Sequence, residues 1–273
     1  MAALPSSWVN GVAAGSLDTS DRAINYGDGV FETLRFYRGR LLLLSEHFAR
    51  LQRGLDRLYI DCAKEVLEAE LDRACAYLNQ QNCEDAIVKL LVSRGRNLSR
   101  GQPGGYGGDV SDASRVLTVL ACETSLLHLP ARARVDFCAI RLACQPQLAG
   151  IKHCNRLEQV LAAQEVQRLG LDNGIVLNQR EQVISAINGN LFSIADGRLR
   201  TPDLKECGIE GCVRNLLLEK IAPGLGLVVD IGPMEQDELL AADEVFISNS
   251  VVGIQSLTIG DTDFSSEVTD ELR

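Results

Sequence analysis

Strand-like and helix-like runs follow one another irregularly along this chain, and their order limits the possible folds more than its composition does. Residues 30–44 (VFETLRFYRGRLLLL) hold β-branched and aromatic side chains on both sides of Arg38–Gly39, a pattern typical of a β-hairpin. Apolar residues at helical spacing predict a helix over 45–60. The remaining elements predicted in this half are a helix over 64–79 and strands over 86–95 and 115–122.

The second half mixes short strands with helices and has no regular β-α-β alternation. Strands are predicted at 133–143, 174–178, 183–187, 190–196, 198–202, 227–232 and 244–250, and helices at 155–169, 212–221 and 234–242. This order favours two α+β domains over a doubly wound sheet. We place a smaller N-terminal domain at 1–122 and a larger C-terminal domain, which carries Lys152, at 123–273.

Composition and charge exclude several classes of function. The chain has 273 residues and a formal net charge of -10, which argues against nucleic acid or an anionic membrane as a partner. Its apolar runs are too short to span a bilayer, and its N-terminus lacks the pattern of a secretory signal. The 9 cysteines form no CxxC pairs, so we expect reduced thiols, a cytoplasmic protein and no metal site.

Lys152 is a polar residue whose position has no evident structural reason. It stands between an irregular stretch, CQPQLAG (144–150), and the predicted helix at 155–169. We expect Asn155 to cap that helix, with Glu158 three residues later as in a capping box. The ordinary interpretation of such a residue is a solvated loop lysine. The other polar features of the chain have to show whether Lys152 has a functional role instead.

Six stretches together resemble the fold-type IV pyridoxal-phosphate enzymes, a family that includes D-amino-acid aminotransferase, branched-chain aminotransferase and aminodeoxychorismate lyase. They stand in the family's order and span about 21–257: DRAINYGDGVFETLR (21–35), HFARL (47–51), AGIKHCNRLEQVL (149–161), GNLF (189–192), GIEGCVR (208–214) and ADEVFISNS (242–250). The resemblance implies a two-domain α+β fold with the active site between the domains, pyridoxal 5′-phosphate as cofactor, and a homodimer.

The resemblance also implies roles for individual residues. Lys152 matches the lysine that forms a Schiff base with the cofactor and moves the proton at the reacting carbon. Arg50 matches the arginine that grips the phosphate; the backbone N–H groups of Cys212 and Val213 and the Ser250 hydroxyl match the rest of the phosphate cup. The substrate is expected to contact Arg100, which would take a carboxylate, together with Phe31, Glu32, Asn155 and Arg156.

One position departs from the family pattern. Where a glutamate usually faces the pyridine nitrogen, this chain has Ser185, in VISAINGNLF (183–192). A neutral hydroxyl would keep that nitrogen protonated less well than a carboxylate does. Three alternatives follow: the ring is a weaker electron sink, a neighbour such as Glu181 or Asn188 substitutes for the glutamate, or the activity is impaired.

KHCNRLEQVL (152–161) is similar to the lyase more than to the aminotransferases of the family. The resemblance therefore implies a lyase that converts 4-amino-4-deoxychorismate to p-aminobenzoate and pyruvate in folate biosynthesis. The first alternative is an aminotransferase acting on a D- or branched-chain amino acid. A pyridoxal-phosphate-binding protein without catalytic activity is the second, and Ser185 is its only support.

Overall fold

A computed structural model describes residues 6–98, 106–107, 110–121 and 132–273 of the chain. Within them the chain forms two compact units. The N-terminal unit comprises the described residues up to 121 together with Ile151–Asn155, and the C-terminal unit comprises 132–150 and 156–273. The mixed α+β class predicted from the order of the elements is confirmed. The predicted domain boundary at 122–123 lies outside the described residues.

The N-terminal unit is an antiparallel sheet with helices packed on one face. Its elements are β1 (Ser6–Val9), β2 (Val12–Ala13), α1 (Arg22–Tyr26), β3 (Gly29–Tyr37), β4 (Arg40–Leu41), α2 (Leu44–Leu58), α3 (Lys64–Gln80), β5 (Asp85–Ser93) and β6 (Ser114–Ala121). Among the described residues the sheet has the strand order β2-β1-β6-β5-β3-β4. Its core contains Leu34, Leu55, Leu67, Leu78 and Leu90, from two strands and two helices.

The predicted hairpin at Arg38–Gly39 is present as β3 and β4. Both turn residues have positive φ, 47° for Arg38 and 88° for Gly39. A two-residue loop needs that backbone to match the right-handed twist of its strands. The hairpin matters for function because β3 is also the strand against which the segment with Lys152 lies.

The C-terminal unit is built on a larger mixed sheet. Its elements are β7 (Arg132–Leu142), α4 (Leu157–Leu169), β8 (Asn173–Asn178), β9 (Val183–Ala186), β10 (Asn190–Ala195), β11 (Arg198–Pro202), α5 (Cys212–Leu216), a π-helical turn (Leu217–Ile221), α6 (Ala222–Gly224), β12 (Val228–Gly232), α7 (Gln236–Leu240), β13 (Glu244–Asn249), β14 (Gly253–Ile259), β15 (Thr262–Asp263) and α8 (Glu267–Leu272). The strand order is β12-β11-β10-β13-β14-β7-β8-β9, and β15 pairs with β14.

The segment Ile151–Asn155 differs from its predicted assignment to the C-terminal domain. The N–H of Phe31 donates to the carbonyl of Lys152, and the N–H of Cys154 donates to the carbonyl of Gly29, both at 2.9 Å. Val30 and His153 complete an antiparallel bridge. These main-chain bonds to β3 place the segment in the N-terminal unit.

Across the described ranges, no helix combines the length and the apolar character that a membrane crossing requires. The eight cysteines found there are all free thiols.

Candidate active site

Lys152 is fixed in place by its backbone and directed by an aromatic ring. Its carbonyl accepts from the N–H of Phe31, so the lysine follows the path of β3. The Lys152 ammonium lies 4.3 Å from the centre of the Phe31 ring, and Lys89 lies 4.9 Å from the same ring. The lysine is half-buried. An amine held over an aromatic face and partly out of water has the restricted mobility that a nucleophile or proton carrier needs.

Glu32, on the next position of β3, points to the opposite face because side chains alternate along a strand. There it meets α2. The Glu32 carboxylate accepts from Arg50 Nε at 2.8 Å, from Arg50 Nη2, and from His47 Nδ1 at 2.6 Å. All three side chains are buried. Glu32 was predicted to contact the substrate, but the polar partners that the structure gives it are Arg50 and His47.

The Glu32 carboxylate is ionised in this setting. Burial by itself would raise the pKa of Glu32, but the charge of Arg50 and the hydrogen bonds from Arg50 and His47 outweigh it and lower the pKa to about 2. A carboxylate held in this way keeps the Arg50 guanidinium from rotating, because a bidentate pair fixes both planes. Arg50 is therefore an oriented cation.

Asn155 does not cap α4, contrary to the prediction. Its Nδ2 donates to the carbonyl of Gly27 at 3.0 Å, and α4 begins at Leu157 with Arg156 at the N-cap position and no side-chain cap bond. Gly27 has φ 64°, and a Cβ there would lie 2.5 Å from Asn155 Oδ1. The amide thus holds the segment that contains Lys152 against the end of α1.

Glu158, the other half of the predicted capping box, accepts instead from the N–H of Ala143 at 2.8 Å. This bond ties α4 to the chain just after β7. Arg156 is half-buried at the helix start. Its predicted contact with the substrate, like that of Asn155, stays a prediction. Arg100, the predicted carboxylate-binding arginine, lies outside the described residues.

In the C-terminal unit, the chain before α5 passes unusually close to β10. Asn190 Nδ2 donates to the carbonyl of Ile209 at 2.8 Å. A Cβ on Gly211 would lie 2.1 Å from Asn190 Oδ1, so any larger residue would displace the Asn190 side chain. Gly211 is the N-cap of α5 and, as a glycine, has no side chain that could cap the helix. Backbone N–H groups at a helix start lie outside the helix's own hydrogen-bond pattern, which makes those of Cys212 and Val213 suitable for an anion.

Two serines lie at and just after the end of β13, the strand that pairs with β10. Ser248 pairs with Asn190 across the sheet. The Ser248 hydroxyl is buried and has no hydrogen-bond partner among the described residues. Ser250 follows in the turn and is half-buried. A buried hydroxyl without a partner is costly and indicates a place for a polar ligand or water, which fits a phosphate-binding role for this part of the unit.

Ser185 is half-buried on β9, opposite Val176 of β8. The two neighbours considered as substitutes for the usual glutamate already have other partners. Glu181 is exposed in the turn after β8 and pairs with Arg141 at 2.7 Å. The side-chain oxygen of Asn188 accepts from Asn173 Nδ2 at 2.6 Å. The role of Ser185 opposite the pyridine nitrogen stays a prediction.

Comparison with known proteins places these residues in a family. A family model described as amino-transferase class IV matches residues 29–258. The aminodeoxychorismate lyase of Vibrio harveyi is 33% identical over 90% of this chain and 88% of its own length. The crystal structure of 4-amino-4-deoxychorismate lyase from Pseudomonas aeruginosa superposes with a TM-score of 0.86 at 38% identity, covering 97% of this chain and 96% of that one. The D-alanine aminotransferase of Listeria innocua is 29% identical over 89% of this chain and 82% of its length. The chain belongs to the amino-transferase class IV family, whose fold-type IV architecture it shares.

Proposed function

We propose that this chain is an aminodeoxychorismate lyase, which uses pyridoxal 5′-phosphate to convert 4-amino-4-deoxychorismate to p-aminobenzoate and pyruvate. The observation that carries the proposal is its likeness over nearly the whole chain to two lyases, at 33% and 38% identity. The oriented lysine and the oriented arginine supply the two groups that such a reaction requires first: an amine and a cation for the phosphate.

The residues fit the cofactor. Lys152 would hold it covalently, and Arg50 would bind its phosphate with the N–H groups of Cys212 and Val213 and the hydroxyl of Ser250. The buried hydroxyl of Ser248, which lacks a partner in the described part of the chain, supports a polar ligand in the C-terminal unit. Ser185 would face the pyridine nitrogen. When bound, the cofactor supplies an electron sink for the carbon that carries the substrate's amino group.

The chain's own residues then carry the proton. Lys152, released as a neutral amine when the substrate's amino group takes its place on the cofactor, would take the proton from the carbon that bears that amino group. The bond between the adjacent carbon and the enolpyruvyl oxygen breaks, and its electron pair leaves with that oxygen. The six-membered ring of the substrate becomes aromatic, which drives the step. The proton then passes from Lys152 to the leaving enolpyruvate, which becomes pyruvate. Phe31 would restrict the Lys152 side chain during the transfer, because the centre of its ring lies 4.3 Å from Nζ.

Ser185 suits this reaction better than it suits transamination. Aromatisation supplies part of the driving force in the lyase, so less carbanion stabilisation is required of the cofactor. An aminotransferase must protonate a cofactor carbon and depends more on a protonated pyridine nitrogen. The aminotransferase alternative retains support from the Listeria innocua relative, at 29% identity. Conversion of the bound cofactor to its amine form by amino donors would distinguish it.

The direct test is an assay of purified protein, supplied with pyridoxal 5′-phosphate, for release of both products from 4-amino-4-deoxychorismate. We expect pyruvate and p-aminobenzoate in equal amounts, and loss of both in a Lys152→Ala variant. A folded protein with bound cofactor that releases neither product would contradict the lyase. Full activity in Lys152→Ala would contradict the site.

We also propose that the protein is a cytoplasmic homodimer. The part of α4 that faces away from its own unit is apolar: Leu157 is 71% exposed, Val160 47% and Leu161 46%. These positions are three and four residues apart and form one patch. A contiguous apolar patch of this kind is more typical of an interface than of a solvated surface. The free thiols support a reducing compartment.

A further inference from the structure

We propose that His47 is a positioning residue for the cofactor's phosphate: through Glu32 it holds the Arg50 guanidinium in the orientation that binds that phosphate. The inference rests on pyridoxal 5′-phosphate being the cofactor and not on which reaction follows. It can therefore fail while the lyase assignment stands, and the reverse also holds.

The geometry is a shared carboxylate. His47 and Arg50 are three residues apart on α2 and so lie on the same face of the helix. Glu32 faces them from β3. Its Oε1 accepts from Arg50 Nε at 2.8 Å, and its Oε2 accepts from both Arg50 Nη2 and His47 Nδ1, the latter at 2.6 Å. Glu32 and His47 are each 1% exposed, so water does not compete for these bonds.

The direction of the His47 bond follows from the charge on Glu32. An ionised carboxylate has no proton to give, so Nδ1 of His47 carries the proton and donates. Arg50 holds the Glu32 carboxylate on one side and His47 holds it on the other. Rotation of the carboxylate in either direction would therefore break one of these hydrogen bonds. Because the two N–H groups of Arg50 follow that plane, His47 fixes the guanidinium as well.

Packing alone does not explain a histidine here. Nε2 of His47 is buried and has no hydrogen-bond partner within the described residues. Burying that nitrogen without a partner is unfavourable, and a leucine would fill the space without the cost. The benefit of the imidazole must therefore come from its other nitrogen, which donates to Glu32.

The test compares two ligands that differ only in the phosphate. Apoprotein of the wild type and of His47→Leu is titrated with pyridoxal 5′-phosphate and with pyridoxal, following the visible absorbance of the lysine-bound form. We expect His47→Leu to bind pyridoxal 5′-phosphate about tenfold more weakly, equal to about 1.4 kcal/mol, and to bind pyridoxal with unchanged affinity. His47→Asn, whose amide stands near the Nδ1 position, should restore most of the loss; His47→Gln, whose amide stands near Nε2, should not.

Two further measurements separate positioning from folding. In an Arg50→Met background, His47→Leu should cause no additional loss of phosphate-dependent affinity, because its effect passes through the arginine. Gln52→Leu, at an exposed site on the same helix, serves as the control and should bind both ligands like the wild type. Thermal unfolding of each apoprotein shows whether it is folded.

Three results would overturn the proposal. One is unchanged affinity of His47→Leu for pyridoxal 5′-phosphate. Another is an equal loss of affinity for both ligands, which would indicate a general role in folding. The third is a His47→Asn variant no better than His47→Gln; this comparison remains available if His47→Leu does not fold.

Discussion

Ser185 stands where the family resemblance implies a glutamate, and its role can be tested by introducing that residue. In Ser185→Glu we expect pyruvate release to fall by about tenfold or more, an increase of about 1.4 kcal/mol in the barrier. The new carboxylate would stabilise the protonated pyridine nitrogen and favour proton exchange at the cofactor over loss of the enolpyruvyl group. The measurements are pyruvate release, and conversion of the cofactor to its amine form by amino donors.

Ser185→Ala is the matched variant, because it removes the hydroxyl without adding charge. The visible absorbance of the lysine-bound cofactor shows whether each variant loads with it. A large gain of pyruvate release in Ser185→Glu would mean that the serine is a defect and not an adaptation, and would contradict the mechanism proposed above.

Glu32 gives the N-terminal unit a pH-dependent stability. Its pKa is about 2 in the folded chain, against 4.5 ordinarily. A lowered pKa stabilises the fold above about pH 4.5, and that stabilisation is lost as the pH falls through about 2. At about 1.4 kcal/mol for each pH unit, the contribution at neutral pH is about 3 kcal/mol. Glu32→Gln should therefore lower the free energy of unfolding by about that amount near pH 7, and by less near pH 3.

Denaturant unfolding at several pH values measures this difference directly. Glu181→Gln is a useful comparison, because Glu181 also pairs with an arginine, Arg141, but lies exposed on the surface. Its removal should change stability little at any pH. A Glu32→Gln difference that stayed constant from neutral to acidic pH would show that the carboxylate contributes as a polar group and not as a charge.

The sequence singles out some of these residues as site candidates and not others. Lys152 and Arg50 could be singled out because each stands in a motif of the family. His47 stands in the same motif, HFARL, yet no role could be assigned to it. Its partner Glu32 is 15 positions away on another element. The only local signal was that His47 and Arg50 share a helix face, and that signal does not identify what they face.

At the level of elements, α8 is held by a side chain far from it in sequence. The Glu244 carboxylate, buried at the start of β13, accepts from the N–H groups of Val268 and Thr269 and from the Thr269 hydroxyl at 2.6–2.9 Å. These are the orphan donors of a helix start, and α8 has no cap from its own N-cap residue. Glu244, on β13, thus caps the N-terminus of α8.

Glu244→Ala should lower the free energy of unfolding by about 3 kcal/mol, because it leaves buried donors without an acceptor. Glu267→Ala, at an exposed position in the first turn of the same helix, should cost less than about 1 kcal/mol. Denaturant unfolding measures both, and hydrogen exchange at the Val268 and Thr269 amides shows whether the loss is local. Equal effects of the two variants would contradict the capping role.

Local patterns predicted elements well where the cause is local. The hairpin at Arg38–Gly39 and the helices α2 and α3 follow from turn chemistry and apolar spacing. The cap of α4 was wrong, because Asn155 bonds to Gly27 and Glu158 bonds to Ala143, and both partners are distant in sequence. A capping box is a short-range signal, and tertiary bonds replaced it here.

For the whole molecule, the class of fold could be predicted but the order of strands could not. In the larger sheet β14 pairs in parallel with β7, whose residues precede it by more than a hundred positions. Such pairings depend on which faces are buried together and leave no local pattern. Two domains were predicted from the irregular order of elements. That Ile151–Asn155 belongs to the N-terminal unit follows only from its hydrogen bonds to β3, which leave no pattern in the sequence.

The proposed homodimer makes the exposed face of α4 a testable surface. We expect Leu161→Glu to dissociate the dimer, because a charge in the centre of an apolar interface is left without a partner when the surfaces meet. Leu161 is preferable to Leu157 for this purpose, since it lies farther from Lys152 along the chain. Ala76→Glu adds the same charge to an exposed position of α3, outside this patch, and should leave the dimer intact.

Sedimentation equilibrium across a range of protein concentrations gives the dissociation constants of the wild type and both variants. The dimer of Leu161→Glu should be at least about a hundredfold weaker, equal to about 2.7 kcal/mol, while its thermal unfolding as a monomer shows that the fold is retained. Equal weakening in Ala76→Glu would mean that added negative charge acts through the net charge of -10 and not through the patch. A wild-type protein that sediments as a monomer at all concentrations would contradict the dimer itself, and the apolar face of α4 would then need another partner.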